Sequence, residues 1–116
     1  MGSTTRGGID ALVREGIAAY ARGEHFAAHE HFEHAWLAGG VARSRELHAL
    51  AQLAAAVYKD MTQEKPEAAR AIMRRARAKL DDVETSAYGI DLVRLRELID
   101  RWLTSGGGAP ELVHDD

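Results

Sequence analysis

Residues Arg43 to Gln63 read RSRELHALAQLAAAVYKDMTQ, and Leu47, Leu50, Ala51, Leu53, Ala54, Ala55, Ala56, Val57, Tyr58 and Met61 leave this stretch almost no polar side. A helix that is apolar nearly all round is packed on several sides, so the stretch predicts a central helix with other helices around it. Upstream, Phe26, Ala28, Phe32, Ala35 and Trp36 recur at helical spacing from about Glu24 to Ala38, where Gly39-Gly40 ends the element. Before that, Ile9, Leu12, Val13, Ile17 and Tyr20 mark an amphipathic helix over residues 9–22, with Gly23 placed as its C′ residue. Downstream, Pro66 stands where a first-turn proline opens a fourth helix, whose stripe is Ala69, Ile72, Met73, Ala76 and Leu80. Asp91 is the N-cap of a fifth, with Ile90 and Leu95 as a hydrophobic staple and Leu92, Leu95, Leu98, Ile99 and Trp102 as its inner face. No useful stretch alternates with period two, so no sheet is predicted.

The expected fold is therefore all-α, an antiparallel bundle of about five helices within residues 9–104. Residues 1–8 and 105–116 are expected to be flexible, the latter too polar and glycine-rich to dock. A shift of 41 residues pairs Leu12 with Leu53, Tyr20 with Met61, Ala28 with Ala69, Phe32 with Met73 and Ala35 with Ala76. The first two helices thus mirror the next two, as two tetratricopeptide-like hairpins with the C-terminal helix as a cap.

Composition narrows the function classes. At 116 residues the chain is one small domain, and 46% hydrophobic with 28% charged residues is an ordinary globular balance with no run long enough for a membrane span. A net charge of −3 does not favour nucleic acid or an anionic membrane. The absence of cysteine excludes disulfides, thiolate metal sites and a cysteine nucleophile. Met1 to Gly8 carries no apolar stretch, so no signal peptide is read there and a cytoplasmic location is expected. In the fourth helix Arg70, Arg74 and Arg77 stack as one stripe, but acidic Asp81, Asp82 and Glu84 follow and no aromatics interleave. A solvated face paired with acidic neighbours is the expectation there, not a nucleic-acid interface.

The densest polar information lies between His25 and Trp36, where seven of twelve residues are His, Glu or Trp and no Lys or Arg occurs between Gly23 and Arg43. On a helix His25, His29 and Glu33 recur every four residues along one strip, with Trp36 a turn further on. Imidazole and carboxylate suit a divalent ion such as Zn²⁺ or Mn²⁺, yet three groups in an axial row span about 12 Å, so one ion can take two neighbours at most. Further ligands would come from the central helix, which offers His48 and Gln52 one turn apart; the candidate metal set is His25, His29, Glu33 and His48. The run His29-Glu30-x-x-Glu33 lacks the second histidine of the zincin motif, so no metalloprotease is read. Equally open is a packed polar cluster in which His29, Glu33, Gln52 and the Trp36 indole satisfy one another between the second and third helices. Glu30, His31 and His34 fall on other sides of the helix, where solvent is expected.

These residues are familiar as a set. Gly23-Glu24-His25-Phe26-x-Ala28-His29-Glu30-x-x-Glu33-x-x-Trp36, then Leu50-x-Gln52-Leu53-Ala54-x-Ala56-x-Tyr58 and Ala68-Ala69, resembles the DUF309 family of small bacterial and archaeal proteins. The likeness runs from about Arg14 to Leu103. It implies an all-α bundle and a characteristic polar set of His29, Glu30, Glu33, Trp36 and Gln52, with no substrate, reaction or cofactor. This chain has Lys59 where the family often has histidine, and Gln63-Glu64-Lys65 where it often has a Gly-Asn turn. Two readings of function follow. One is a structural or interaction module, with a homodimer or a protein partner on its working surface. The other is a metal-dependent or general-base enzyme in which His29, its tautomer set by Glu33, moves a proton near neutral pH.

Overall fold

The computed structural model describes residues 6–40, 44–62 and 65–113. It contains five helices, α1 (Arg6–Ala21), α2 (His25–Ala38), α3 (Arg45–Thr62), α4 (Pro66–Leu80) and α5 (Leu92–Ser105). The expected boundaries are met within two residues at most ends, and Pro66 and Asp91 stand where the sequence places them, as first helical residue and N-cap. The start of α1 differs: the helix begins at Arg6, three residues before the expected Ile9. Gly8 is half-buried there, so packing outweighs the poor helix propensity that marks glycines as tail.

Each helix packs on the next in the chain, and side-chain partners fix the directions. His31 reaches Glu15 across α1 and α2, while Phe26 meets Tyr58 and Trp36 meets His48 across α2 and α3. Arg45 reaches Asp82 just beyond α4, and Arg77 reaches Asp100 on α5. An early residue of one helix meets a late residue of its neighbour in His25 with Tyr20, Phe26 with Tyr58, Arg45 with Asp82 and Arg70 with Leu103, so successive helices run antiparallel. The central stretch behaves as its apolar surround requires, since Leu47, Leu50, Leu53, Ala54, Ala56 and Val57 are all buried. The repeat is visible in the core too: Ala28 and Ala69, Phe32 and Met73, Ala35 and Ala76 are buried in pairs. It fades at the helix ends, where Tyr20 is buried but Met61 is exposed.

The helix termini follow local chemistry. Gly23 takes φ +83°, and the amides of Gly23 and Glu24 donate to the carbonyls of Tyr20 and Ala19. This is a Schellman closure, and it turns the chain tightly into α2. Ser44 Oγ accepts the Leu47 amide at 3.1 Å, and Asp91 Oδ1 accepts the Arg94 amide at 3.0 Å.

The C-terminal segment lies differently from its expectation. Pro110 is buried, Ala109 and Leu112 pack against the core, the Tyr20 hydroxyl donates to the Pro110 carbonyl at 2.6 Å and the Asp91 amide donates to Val113 O at 2.7 Å. Three apolar side chains and two backbone carbonyls suffice to hold the segment, although glycines precede it and acids follow it. The terminal residues 114–116, with the acidic pair Asp115–Asp116, and residues 1–5 of the expected amino-terminal tail lie outside the described residues.

Candidate functional site

The i,i+4 spacing of His29 and Glu33 on α2 brings them together as the sequence requires, with His29 Nε2 2.9 Å from Glu33 Oε2. Across the helix interface His29 Nδ1 lies 3.0 Å from the carbonyl oxygen of Ala51. Both neighbours are acceptors, so a doubly protonated ring donates to each, whereas a neutral ring can serve only one of them. The pair is not enclosed: the two side chains keep 28% and 47% of their surface exposed.

Aromatic pairs flank it on both sides. Toward one end of the α2/α3 seam the Trp36 and His48 rings stack at 4.0 Å between centroids and 16° between planes. Toward the other, Phe26 sits 5.1 Å from Tyr58 and 6.3 Å from His29, half of its own surface open to solvent. Gln52 is half-buried on α3, and its Oε1 is buried with no hydrogen-bond partner among the described residues. Burial first, then the charges of Lys79 and Arg45, hold the His48 imidazole below its ordinary pKa. Glu30 and His34 are exposed.

The candidate metal set is divided among three places. His25 turns away from His29 toward α1, where its ring packs edge-on to Tyr20 at 5.0 Å. His48 is taken by Trp36, and only His29 and Glu33 remain together. The reason is helical: each step of four overshoots a full turn, so His25 and Glu33 point about 80° apart. Among the described residues no three His, Cys, Asp or Glu side chains are grouped to hold one ion.

The arginine stripe of α4 is largely engaged within the fold. Arg77 bonds Asp81 and Asp100, which together hold its guanidinium above its ordinary pKa, and Arg70 donates to the Leu103 carbonyl. Arg74 is exposed. Two features went unread in the sequence. Glu46 is buried and bonded to the loop before α5, and His25 is buried beside a cavity at the α1–α2 turn. Glu46 reads as an ordinary first-turn acid, and His25 as one member of a strip.

Two expected results arise from this geometry. Glu33→Ala removes a half-exposed partner and leaves His29 its bond to Ala51, so its cost is under about 1 kcal/mol; a melting midpoint lowered by more than a few degrees would show that the pair is structural. Burial lowers the His25 pKa from 6.5 in the fold. As pH falls below 6.5 the unfolded chain therefore takes up its proton first, and stability declines toward acid while showing no such term above that pH. Thermal melts in slightly acidic and slightly alkaline buffer should differ less for His25→Gln than for the parent, and equal differences would contradict the assignment.

The described residues contain no helix long and apolar enough to cross a membrane. No curated protein and no solved structure matches the chain. A family model described as "Domain of unknown function (DUF309)" matches residues 13–72, a span that takes in most of α1, all of α2 and α3 with the polar seam between them, and the start of α4. More than half of the sequence is covered by that match, and the chain belongs to the DUF309 family.

Proposed function

We propose that this domain is a protein-interaction module whose working surface is the α2/α3 seam. The observation that carries the reading is the half-exposed His29–Glu33 pair, oriented by the Ala51 carbonyl and flanked on both sides by aromatic pairs. Recognition surfaces are rich in aromatic side chains that bring area at low entropic cost, and a few oriented polar groups fix the register. Phe26 and Leu37, both exposed on α2, extend the apolar part of that surface.

The acid–base alternative fits the seam less well. A general base needs an unprotonated nitrogen aimed at substrate, and both nitrogens of His29 face acceptors of the protein itself. The metal-dependent alternative would require His25, His29, Glu33 and His48 to converge, and they are spread over three places.

A second copy of the chain is the simplest partner, as closed symmetric pairing is the commonest form of assembly. Sedimentation velocity over a micromolar concentration series tests it, with Trp36→Ala and Phe26→Ser as variants and circular dichroism as the folding control. Concentration-dependent association that both variants weaken supports the reading. A monomer at all concentrations, together with identical cross-linking of parent and variants to proteins of the native host, would reject it.

A further inference from the structure

A cavity of about 720 Å³ opens at the other side of α2, away from the seam. Its walls are Ile17, Ala18 and Ala21 of α1, with Ala109 and Leu112 of the docked C-terminal segment. Tyr20 and His25 line it as well. The Tyr20 hydroxyl is committed to the Pro110 carbonyl. His25 is different: the residue is 8% exposed and its ring packs on Tyr20, but no side-chain hydrogen bond within the described residues engages its nitrogens, and neither is buried without a partner. The ring lines the cavity, so water or a ligand held there can reach it. Its position in the wall of an apolar cavity marks the place where a ligand would supply the missing bond.

We propose that this cavity binds a small apolar molecule bearing one uncharged hydroxyl, a phenol in its simplest form, with the hydroxyl on His25 and the ring against Ile17, Ala18 and Leu112. The volume falls within the range of about 300–1,000 Å³ usual for small-molecule sites, and a mostly apolar wall with one convergent polar group is their common pattern. Burial lowers the His25 pKa and so favours the neutral ring, which offers one donor and one acceptor. A hydroxyl matches that pair, since it also donates and accepts. The remaining charged side chains of the lining are Arg14 and Glu111, both exposed and of opposite sign, so the site shows no net demand for an ionic ligand.

The probes are para-ethylphenol, its methyl ether para-ethylanisole, and para-ethylbenzoate, each titrated into the whole chain and followed by amide chemical shifts. The expected result is saturable binding of the phenol with shifts centred on Ile17, Ala18 and Leu112. The ether, which cannot donate, should bind about fivefold to tenfold more weakly, the value of one neutral hydrogen bond. His25→Phe should erase that preference while keeping the apolar contacts. Ala18→Trp, at an exposed position that tolerates bulk, should fill the cavity and abolish binding with an unchanged circular dichroism spectrum. Absence of saturable shifts with the phenol, or a phenol-to-ether ratio that His25→Phe leaves unchanged, would overturn the proposal. Tighter binding of the benzoate would also overturn it, by assigning the cavity to anions through Arg14.

Discussion

Glu46→Ala is expected to lower the stability of the domain by about 3 kcal/mol, which for a chain of this size moves the melting midpoint by roughly 10 °C. Glu46 is 3% exposed in the first turn of α3, and its carboxylate holds the loop that leads into α5. Oε1 accepts the Ala87 amide at 2.9 Å and Oε2 accepts the Ser86 hydroxyl. Ser86 Oγ in turn accepts the amides of Tyr88 and Ile90, each at 3.1 Å. Removing the carboxylate therefore unpairs one amide and one hydroxyl directly and loosens the acceptor on which two more amides depend. Hydrogen bonds to a charged group contribute about 1.5–3 kcal/mol each, and water entering the half-buried loop restores a part of the sum. Glu46→Gln keeps one carbonyl oxygen for Ala87 and should cost about half as much. Amide exchange at residues 87–90 should accelerate in the alanine variant well beyond exchange in the α2 core. An unchanged midpoint, or exchange that rises evenly over the whole chain, would show that the loop is held by other contacts.

The second large effect has the opposite sign from its textual reading. Gly16→Ala in mid-helix should gain roughly 0.5–1 kcal/mol from helix propensity alone. A Cβ on Gly16, however, would lie 2.6 Å from Cε1 and 2.8 Å from Cδ1 of Phe32. Phe32 has no exposed surface and cannot swing out of the core. Overpacking of this kind costs about 1–3 kcal/mol, so after the propensity gain the net expectation is a loss of about 1 kcal/mol. Gly16→Val should lose more, because its branched side chain adds bulk at the same point. In a Phe32→Leu background the alanine should cost less than in the parent, since the two positions share one space. Urea unfolding of the four variants would measure this through the transition midpoint at constant slope. A Gly16→Ala protein more stable than the parent would refute the close approach of α1 and α2.

Such contrasts separate what is local from what is not. The spacing of His29 and Glu33 was legible because i,i+4 partners on a helix meet whatever surrounds them. So were Asp91 as a cap, Pro66 as a first helical residue and Gly23 as a terminator, since each acts through its own backbone neighbourhood. The stacking of Trp36 on His48 was not legible, although both lay among the candidate residues, because it depends on how far α2 is shifted along α3. Likewise the meeting of His29 with the Ala51 carbonyl carries no pattern in the sequence, as every residue offers the same carbonyl. Counting in fours groups His25 with His29 and Glu33, but two such steps carry it about 80° from Glu33, and its ring packs on Tyr20 of α1. Gly16 reads as a helix weakness until the partner ring is known, and Glu46 reads as a solvated acid until the loop from another part of the chain arrives.

By itself the sequence determined the number and type of elements, their order, the apolar face each must bury and the one polar pair that a single helix can assemble. Hydrophobic periodicity and terminal chemistry act over a few residues, and no distant part of the chain can reverse them at these positions. Tertiary structure alone decided which polar groups are buried, which aromatic rings stack, that residues 109–113 close over α1, and that a cavity forms beside His25. Those outcomes depend on the relative shift and rotation of whole helices, set by the summed fit of side chains such as Phe32 against Gly16. No window of sequence contains that sum.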